Sequence, residues 1–142
     1  LVHLNRTAQY ALRAMMCLAA IPPGSAARAR DLSKSARVPA AYLSKIMRRL
    51  VRQRILRARK GHGGGFVLAR RPGSVRVGDV LTAVGGTMER DVCIFGHGRC
   101  EAADPCPLHA TWTDLTGAFY DWSRRTTLAD LKGRPVRQHG RR

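Results

Sequence analysis

Residues 38–69 read Val38-Pro39-Ala40-Ala41-Tyr42-Leu43-Ser44-Lys45-Ile46-Met47-Arg48-Arg49-Leu50-Val51-Arg52-Gln53-Arg54-Ile55-Leu56-Arg57-Ala58-Arg59-Lys60-Gly61-His62-Gly63-Gly64-Gly65-Phe66-Val67-Leu68-Ala69, and this stretch decides the fold. Leu43, Ile46, Met47 and Leu50 recur at i, i+3, i+4 and i+7, so residues 40–53 read as a helix with one apolar stripe. Tyr42, Ser44, Lys45, Arg48, Arg49 and Arg52 fall off that stripe, mostly toward solvent. Pro39 suits a helix start. Residues 28–36 form a short helix before it, which makes a helix-turn-helix whose second helix is apolar on one side and basic on the other. Residues 55–59 then read as a strand and 65–69 as its partner. The loop Lys60-Gly61-His62-Gly63-Gly64 between them is too long for a two-residue turn, and its glycines permit close backbone approach to a groove. Helix-turn-helix plus basic hairpin is a winged helix. A nucleotide phosphate loop is disfavoured, because no Gly-Lys-Ser/Thr follows the glycines.

Outward from this centre, residues 7–20 read as a helix in which Leu4, Ala11, Met15 and Leu18 share a face, ended by Pro22-Pro23-Gly24-Ser25. Cys17 lies within this run and reads as an inert buried thiol. Downstream, Val77, Val80, Leu81 and Val84 predict a short helix closing the core, stopped by Gly85-Gly86. Residues 1–78 hold 17 Lys/Arg against one acid, Asp31, a net of +16, whereas residues 79–142 are nearly balanced at +1. Charge this one-sided fits a surface that neutralises phosphates. Base reading falls to Ala41, Tyr42, Ser44 and Lys45 near the start of the recognition helix. Arg48, Arg49 and Arg52 meet phosphates, and Arg59, Lys60, Gly61, His62 and Gly63 take the wing toward the minor groove.

The second half opens with Cys93, Cys100, Cys106 and His109 at C-x6-C-x5-C-x2-H in a Gly- and Pro-rich stretch, the donor set of a zinc ion or an iron–sulfur cluster. His97 is a competing donor. Beyond it Leu108, Trp112, Leu115, Phe119 and Trp122 are spaced 4-3-4-3, the period of helices packed against each other; such a seam can cover its own domain, but large aromatics outside the DNA-binding core more often mark a subunit interface. The fold class is thus mainly α with a small β-hairpin wing (a winged helix-turn-helix), plus a long C-terminal dimerisation helix. Residues 1–86 form the DNA-binding domain, 87–107 the cysteine-rich cluster-binding loop, 108–131 the dimerisation helix and a short C-terminal helix, and 132–142 a disordered basic tail.

Three cysteines cluster and one stands alone, unlike a secreted disulfide framework, and the longest apolar run, residues 14–21, is too short to cross a bilayer. Both point to a cytoplasmic protein without a membrane partner. A zinc-binding RNA module is the rival reading, weakened because Phe95 is the lone aromatic in the loop available to stack on unpaired bases. A metalloenzyme lacks a positioned base: Glu101 and Asp104 read equally well as solvated loop residues.

The chain resembles the Rrf family of bacterial winged-helix regulators, which includes the iron–sulfur regulators IscR and NsrR, over roughly residues 4–131. The resemblance is carried by Tyr10-Ala11-Leu12-Arg13-Ala14-Met15 in the first helix, by Val38-Pro39-Ala40-Ala41-Tyr42-Leu43, and by Arg59 to Ala69 in the wing. Cys106-Pro107-Leu108-His109 with Trp112, and Thr127-Leu128-Ala129-Asp130-Leu131, add to it. It implies a transcriptional regulator, homodimeric on a palindromic double-stranded DNA operator, sensing iron–sulfur status, redox state or nitric oxide through a cluster held by three cysteines. It also implies His109 as the fourth ligand, since Gln9 stands where other members recruit an acid from the partner's first helix, and so 2Fe–2S over 4Fe–4S. The six residues between Cys93 and Cys100 depart from the family's more usual five. Members without a working cluster also exist.

Overall fold

The computed structural model describes residues 4–86, 92–100 and 103–131. Its elements run α1 (Arg6–Ala20), α2 (Ala29–Ala36), α3 (Ala40–Arg52), β1 (Leu56–Arg59), β2 (Gly65–Leu68), a 3-10 turn (Pro72–Ser74), α4 (Val77–Ala83) and α5 (His109–Arg125). The side chain of Asn5 starts α1 by accepting the Ala8 N–H at 2.8 Å, an N-cap that satisfies one orphan donor. The buried face of α1 is largely alanine: Ala8, Ala11 and Ala14 are fully buried beside Met15 and Leu18. Small side chains there let α2, α3 and α4 pack close around α1. The predicted stripe of α3, Leu43, Ile46, Met47 and Leu50, is buried against them, as are Val77, Val80, Leu81 and Val84 of α4 and its C-cap. Each such aliphatic side chain contributes about 1.5–3 kcal/mol on burial.

The helices α2 and α3 end by the same device. After α2, Arg37 adopts left-handed backbone (φ 53°) and Val38 N–H returns to Ser33 O at 3.0 Å. After α3, Arg54 does so (φ 58°) and Ile55 N–H returns to Leu50 O at 3.0 Å. In each case the next residue, Val38 or Ile55, is buried, completing a Schellman motif with arginine where glycine is usual. Because Ile55 is bonded back to α3, strand β1 begins at Leu56, one residue later than predicted.

Strands β1 and β2 pair antiparallel with Leu56 opposite Leu68 and Arg59 opposite Gly65. The wing is widened by a bridge from Ala27 to Phe66, with N–H···O bonds of 3.0 and 2.8 Å. This close seating requires glycine at 65 (φ 133°), since a Cβ there would overlap the Ala27 carbonyl.

The C-terminal segment returns to the winged helix. Leu128 is fully buried in the same core, and Leu128 N–H bonds to Val75 O at 2.9 Å. Residues 127–131, where the sequence predicts a short helix, form a bridge to Arg76 and then a turn that reaches the last described residue. The Asp130 carboxylate accepts from Thr127 N–H at 2.8 Å and from its hydroxyl at 3.2 Å, closing that turn locally. The predicted basic tail, 132–142, lies outside the described residues, as do 87–91 and 101–102 of the loop. Among the described residues no helix is long and apolar enough to cross a membrane.

Candidate nucleic-acid interface and metal centre

The N-terminus of α3 presents Ala41, Tyr42 and Lys45 to solvent, with Ser44 half-buried. Tyr42 is 47% exposed and stands edge-on to Tyr10 of α1 at 5.7 Å, so α1 braces the N-terminal end of α3. Arg13 lies over the Tyr10 ring at 5.5 Å, a cation–π contact, and its guanidinium donates to Arg37 O at 3.5 Å, which extends the brace to the turn before α3. The Ser44 hydroxyl donates back to Ala40 O at 3.1 Å. Arg48 and Arg52 are exposed along the outer face. Arg49 is also exposed, but its guanidinium donates to Val84 O at 3.2 Å, which ties α3 to the end of α4. Helical periodicity gives no sign of that contact, because the acceptor lies 35 residues away.

At the wing, Lys60, Gly61, His62 and Gly63 form the exposed tip, and Gly61 and Gly63 have positive φ. Arg59 is exposed and reaches Gly24 O at 3.4 Å. Arg57, not singled out from the sequence, is exposed on the same strand, and its alternation with Arg59 was the available signal.

Cys93, Cys100, Cys106 and His109 line one open concavity of about 500 Å3, together with His97, Arg99 and Asp104. The loop is held by backbone geometry. Val92 bridges Arg99, Cys93 N–H donates to Gly98 O at 2.8 Å, and Gly96 N–H to Cys93 O at 3.0 Å. Trp112 of α5 clamps the loop by donating its indole N–H to Val92 O at 2.6 Å. Backbone N–H groups of His97 and Phe95 aimed at the sulfur hold the Cys93 thiol below the ordinary thiol range. Burial instead pushes the Cys17 thiol up; it is half-buried on α1.

None of the four cysteines is in a disulfide. Among the described residues no three His, Cys, Asp or Glu side chains converge tightly enough to hold a metal ion. A single tetrahedral zinc needs its donors within about 2.0–2.3 Å of one point. A cluster with two or more irons spreads its ligands over a larger body, and three thiols with an imidazole around one concavity are a donor set that fits it. His109 is the first residue of α5, and its N–H bonds to Cys106 O at 3.0 Å, so the candidate fourth donor is mounted on the long helix.

The apolar seam of α5 faces mostly outward. Leu108 is 42%, Leu115 49% and Trp122 36% exposed, whereas Trp112 and Phe119 are half-buried. The residues that α5 buries against its own domain are the small polar Thr116 and Ser123. Phe119 packs on the core edge and lies 5.6 Å from Trp122.

A helix-turn-helix with an exposed basic second helix and wing, joined to a cysteine-lined concavity, defines a winged-helix transcriptional regulator. The family model for Rrf2, described as an iron-dependent transcriptional regulator, matches residues 4–134, and the chain belongs to that family. The transcriptional regulator IscR of Citrobacter koseri is 29% identical over 130 residues, covering 92% of this chain and 79% of that protein. Among solved structures, CymR, the global cysteine regulator of B. subtilis, superposes with a TM-score of 0.78 at 19% identity, over 91% of this chain and 95% of that one. IscR from T. potens gives a TM-score of 0.71 at 19% identity, over 91% and 85%. At that identity both likenesses establish the winged-helix fold alone. The curated relatives are named as transcriptional regulators rather than enzymes.

Proposed function

We propose that this Rrf2-family regulator acts as a homodimer on a palindromic operator and senses through an iron–sulfur cluster held by Cys93, Cys100, Cys106 and His109. The observation that carries the reading is the joint placement of three thiols and an imidazole around one concavity at the head of α5. When bound, the cluster would supply a centre that responds to iron–sulfur supply, oxidants or nitric oxide. Replacing one thiolate by a neutral imidazole makes such a centre less negative and its ligand protonatable, which suits a sensor. A 2Fe–2S centre fits better than 4Fe–4S, since Gln9 is exposed, uses its amide to donate to Leu4 O at 2.8 Å, and is a poor ligand for iron. His97 is exposed in the same concavity and is the weaker candidate, because it rides on a glycine-flanked turn rather than on a helix.

In this reading Ala41, Tyr42, Ser44 and Lys45 enter the major groove. Arg48, Arg49 and Arg52 neutralise phosphates, Arg49 from a guanidinium already anchored on Val84 O. Arg59 to Gly63 approach the minor groove. The exposed Leu108, Leu115 and Trp122, with Trp112 and Phe119 beside them, form the dimer seam. The protein acts in the cytoplasm, where its operator lies.

Anaerobic purification followed by an absorption spectrum and iron and sulfide analysis tests the cluster. A brown protein with bands above about 400 nm supports it; stoichiometric zinc without iron, or a metal-free site after anaerobic reconstitution, overturns it. Competition between duplex DNA and single-stranded RNA tests the rest, and preferential binding of the RNA would sink the operator reading.

A further inference from the structure

We infer that Asp79 is the positioning residue that locks the sensor-bearing helix α5 to the DNA-reading elements. The inference rests on the function proposed above, in which α5 carries a cluster ligand at its first residue. Asp79 lies in the first turn of α4, where its Oδ2 accepts the Arg76 N–H at 3.1 Å. Its Oδ1 accepts from Arg124, in the last turn of α5, at 3.1 Å. Arg70, at the exit of the wing, approaches Oδ2 at 4.0 Å and points its other terminal nitrogen at Gln53 O, the C-cap of α3, at 3.5 Å. One carboxylate therefore stands between the end of α5, the base of the wing and the end of the recognition helix.

Two features make this junction more than a surface ion pair. Residues 4–86 contain only two acids, Asp31 and Asp79, so without Asp79 the guanidinium groups of Arg70 and Arg124 face each other across a strongly basic domain. The Asp79 side chain is 24% exposed while Arg124 and Arg70 are 40% and 41% exposed, so solvent reaches the cations and the carboxylate's position rests also on its bond to the Arg76 N–H. The backbone also seats α5 tightly here: Val77 N–H donates to Thr126 O at 2.8 Å, and a Cβ at Gly78 would lie 3.0 Å from Ser123 O.

At the other end α5 begins with His109. Its 17 residues span about 25 Å at a helical rise of 1.5 Å per residue. A stiff rod anchored at its last turn converts a displacement of its first turn into rotation about the anchor. The Arg124–Asp79–Arg70 contacts deliver that rotation to the wing base and to Gln53.

The test uses the full chain as wild type, Asp79→Asn, Arg124→Gln, the double variant and the conservative Arg124→Lys. Hydrogen exchange without metal or DNA is read first. Asp79→Asn should speed exchange both at residues 53–56 and at residues 122–126, leave α1 unchanged, and be matched by the double variant, while Arg124→Lys stays near wild type. Acceleration confined to α4, or effects of the two single changes that add in the double variant, overturns the inference. A duplex selected by the wild-type protein from a randomised pool is then bound by cluster-loaded and cluster-free protein. Asp79→Asn should bring the ratio of the two affinities about fivefold closer to unity, within the usual range of coupling between sites; an unchanged ratio overturns the inference. A wild-type ratio of one would sink the sensing function instead, and hydrogen exchange alone then decides whether Asp79 couples these elements.

Discussion

In the winged helix, α1 alone buries Ala8, Ala11, Ala14 and Met15 completely, whereas no described residue from 92 to 108 is buried and Phe95 stands 58% exposed. The first region is ordered by its own apolar core, which closes only when Leu128 returns from beyond α5. The second is shaped by glycine turns, a two-residue bridge and the Trp112 indole. The difference teaches that the winged helix is held by a buried apolar core to which the segment beyond α5 contributes Leu128. The cysteine loop is held instead by backbone hydrogen bonds and the Trp112 clamp, with no buried side chain among its described residues.

The largest expected effect tests the cysteine side. Cys93→Ala, Cys100→Ala or Cys106→Ala should abolish iron binding, and Cys17→Ala should not, as read by iron and sulfide analysis. The metal-free variants should melt with the metal-free wild type; a large drop for Cys100→Ala would mean that the loop stabilises the core after all. On the core side, Leu50→Ala should lower unfolding free energy by about 2–5 kcal/mol in chemical denaturation. Phe95→Ala in metal-free protein should change it by less than about 0.5 kcal/mol. Comparable losses at both positions would erase the contrast.

Smaller effects sharpen the comparison. Gly78→Ala should destabilise by about 1 kcal/mol, since overpacking against Ser123 outweighs the gain in helix propensity. Arg52→Ala should reduce the slope of log affinity against log salt by about 1, the loss of one phosphate contact. Arg49→Ala should do the same and also lower the melting temperature, because it releases Val84 O. The smallest effect is chemical. In metal-free protein near neutral pH, Cys93 should alkylate several-fold faster than Cys17, because N–H donors favour its thiolate while burial disfavours that of Cys17. Mass-spectrometric mapping of iodoacetamide adducts reads this, and equal rates would show that the loop does not hold its turn in solution.

The reading half was legible in the sequence because its signals are periodic or glycine-marked. The stripe from Leu43 to Leu50 fits a single helical period, and the Gly61–Gly65 loop marks a turn with the positive φ that other residues rarely adopt. The end of α5 was not legible in the same way. Its apolar residues announce a seam, but its own domain is met through Thr116 and Ser123, small polar residues that carry no hydrophobic period. Thr127 to Asp130 has the spacing of a helix cap, and the described residues end one turn later, at Leu131. The Arg49–Val84 and Arg124–Asp79 contacts join residues 35 and 45 positions apart, a separation no local pattern reports. Candidate metal donors were recognisable by type and spacing, whereas their arrangement around an open concavity rather than a single point depends on loop geometry.

Arg37 and Arg54 hold left-handed backbone, so each combines backbone strain with a cationic side chain that glycine would lack. Glycine at either position would relieve strain on the order of 1 kcal/mol. It would also remove a positive charge from the flank of the recognition helix. A glycine at either position should therefore melt no lower than the wild type while leaving the surface beside α3 one charge less basic.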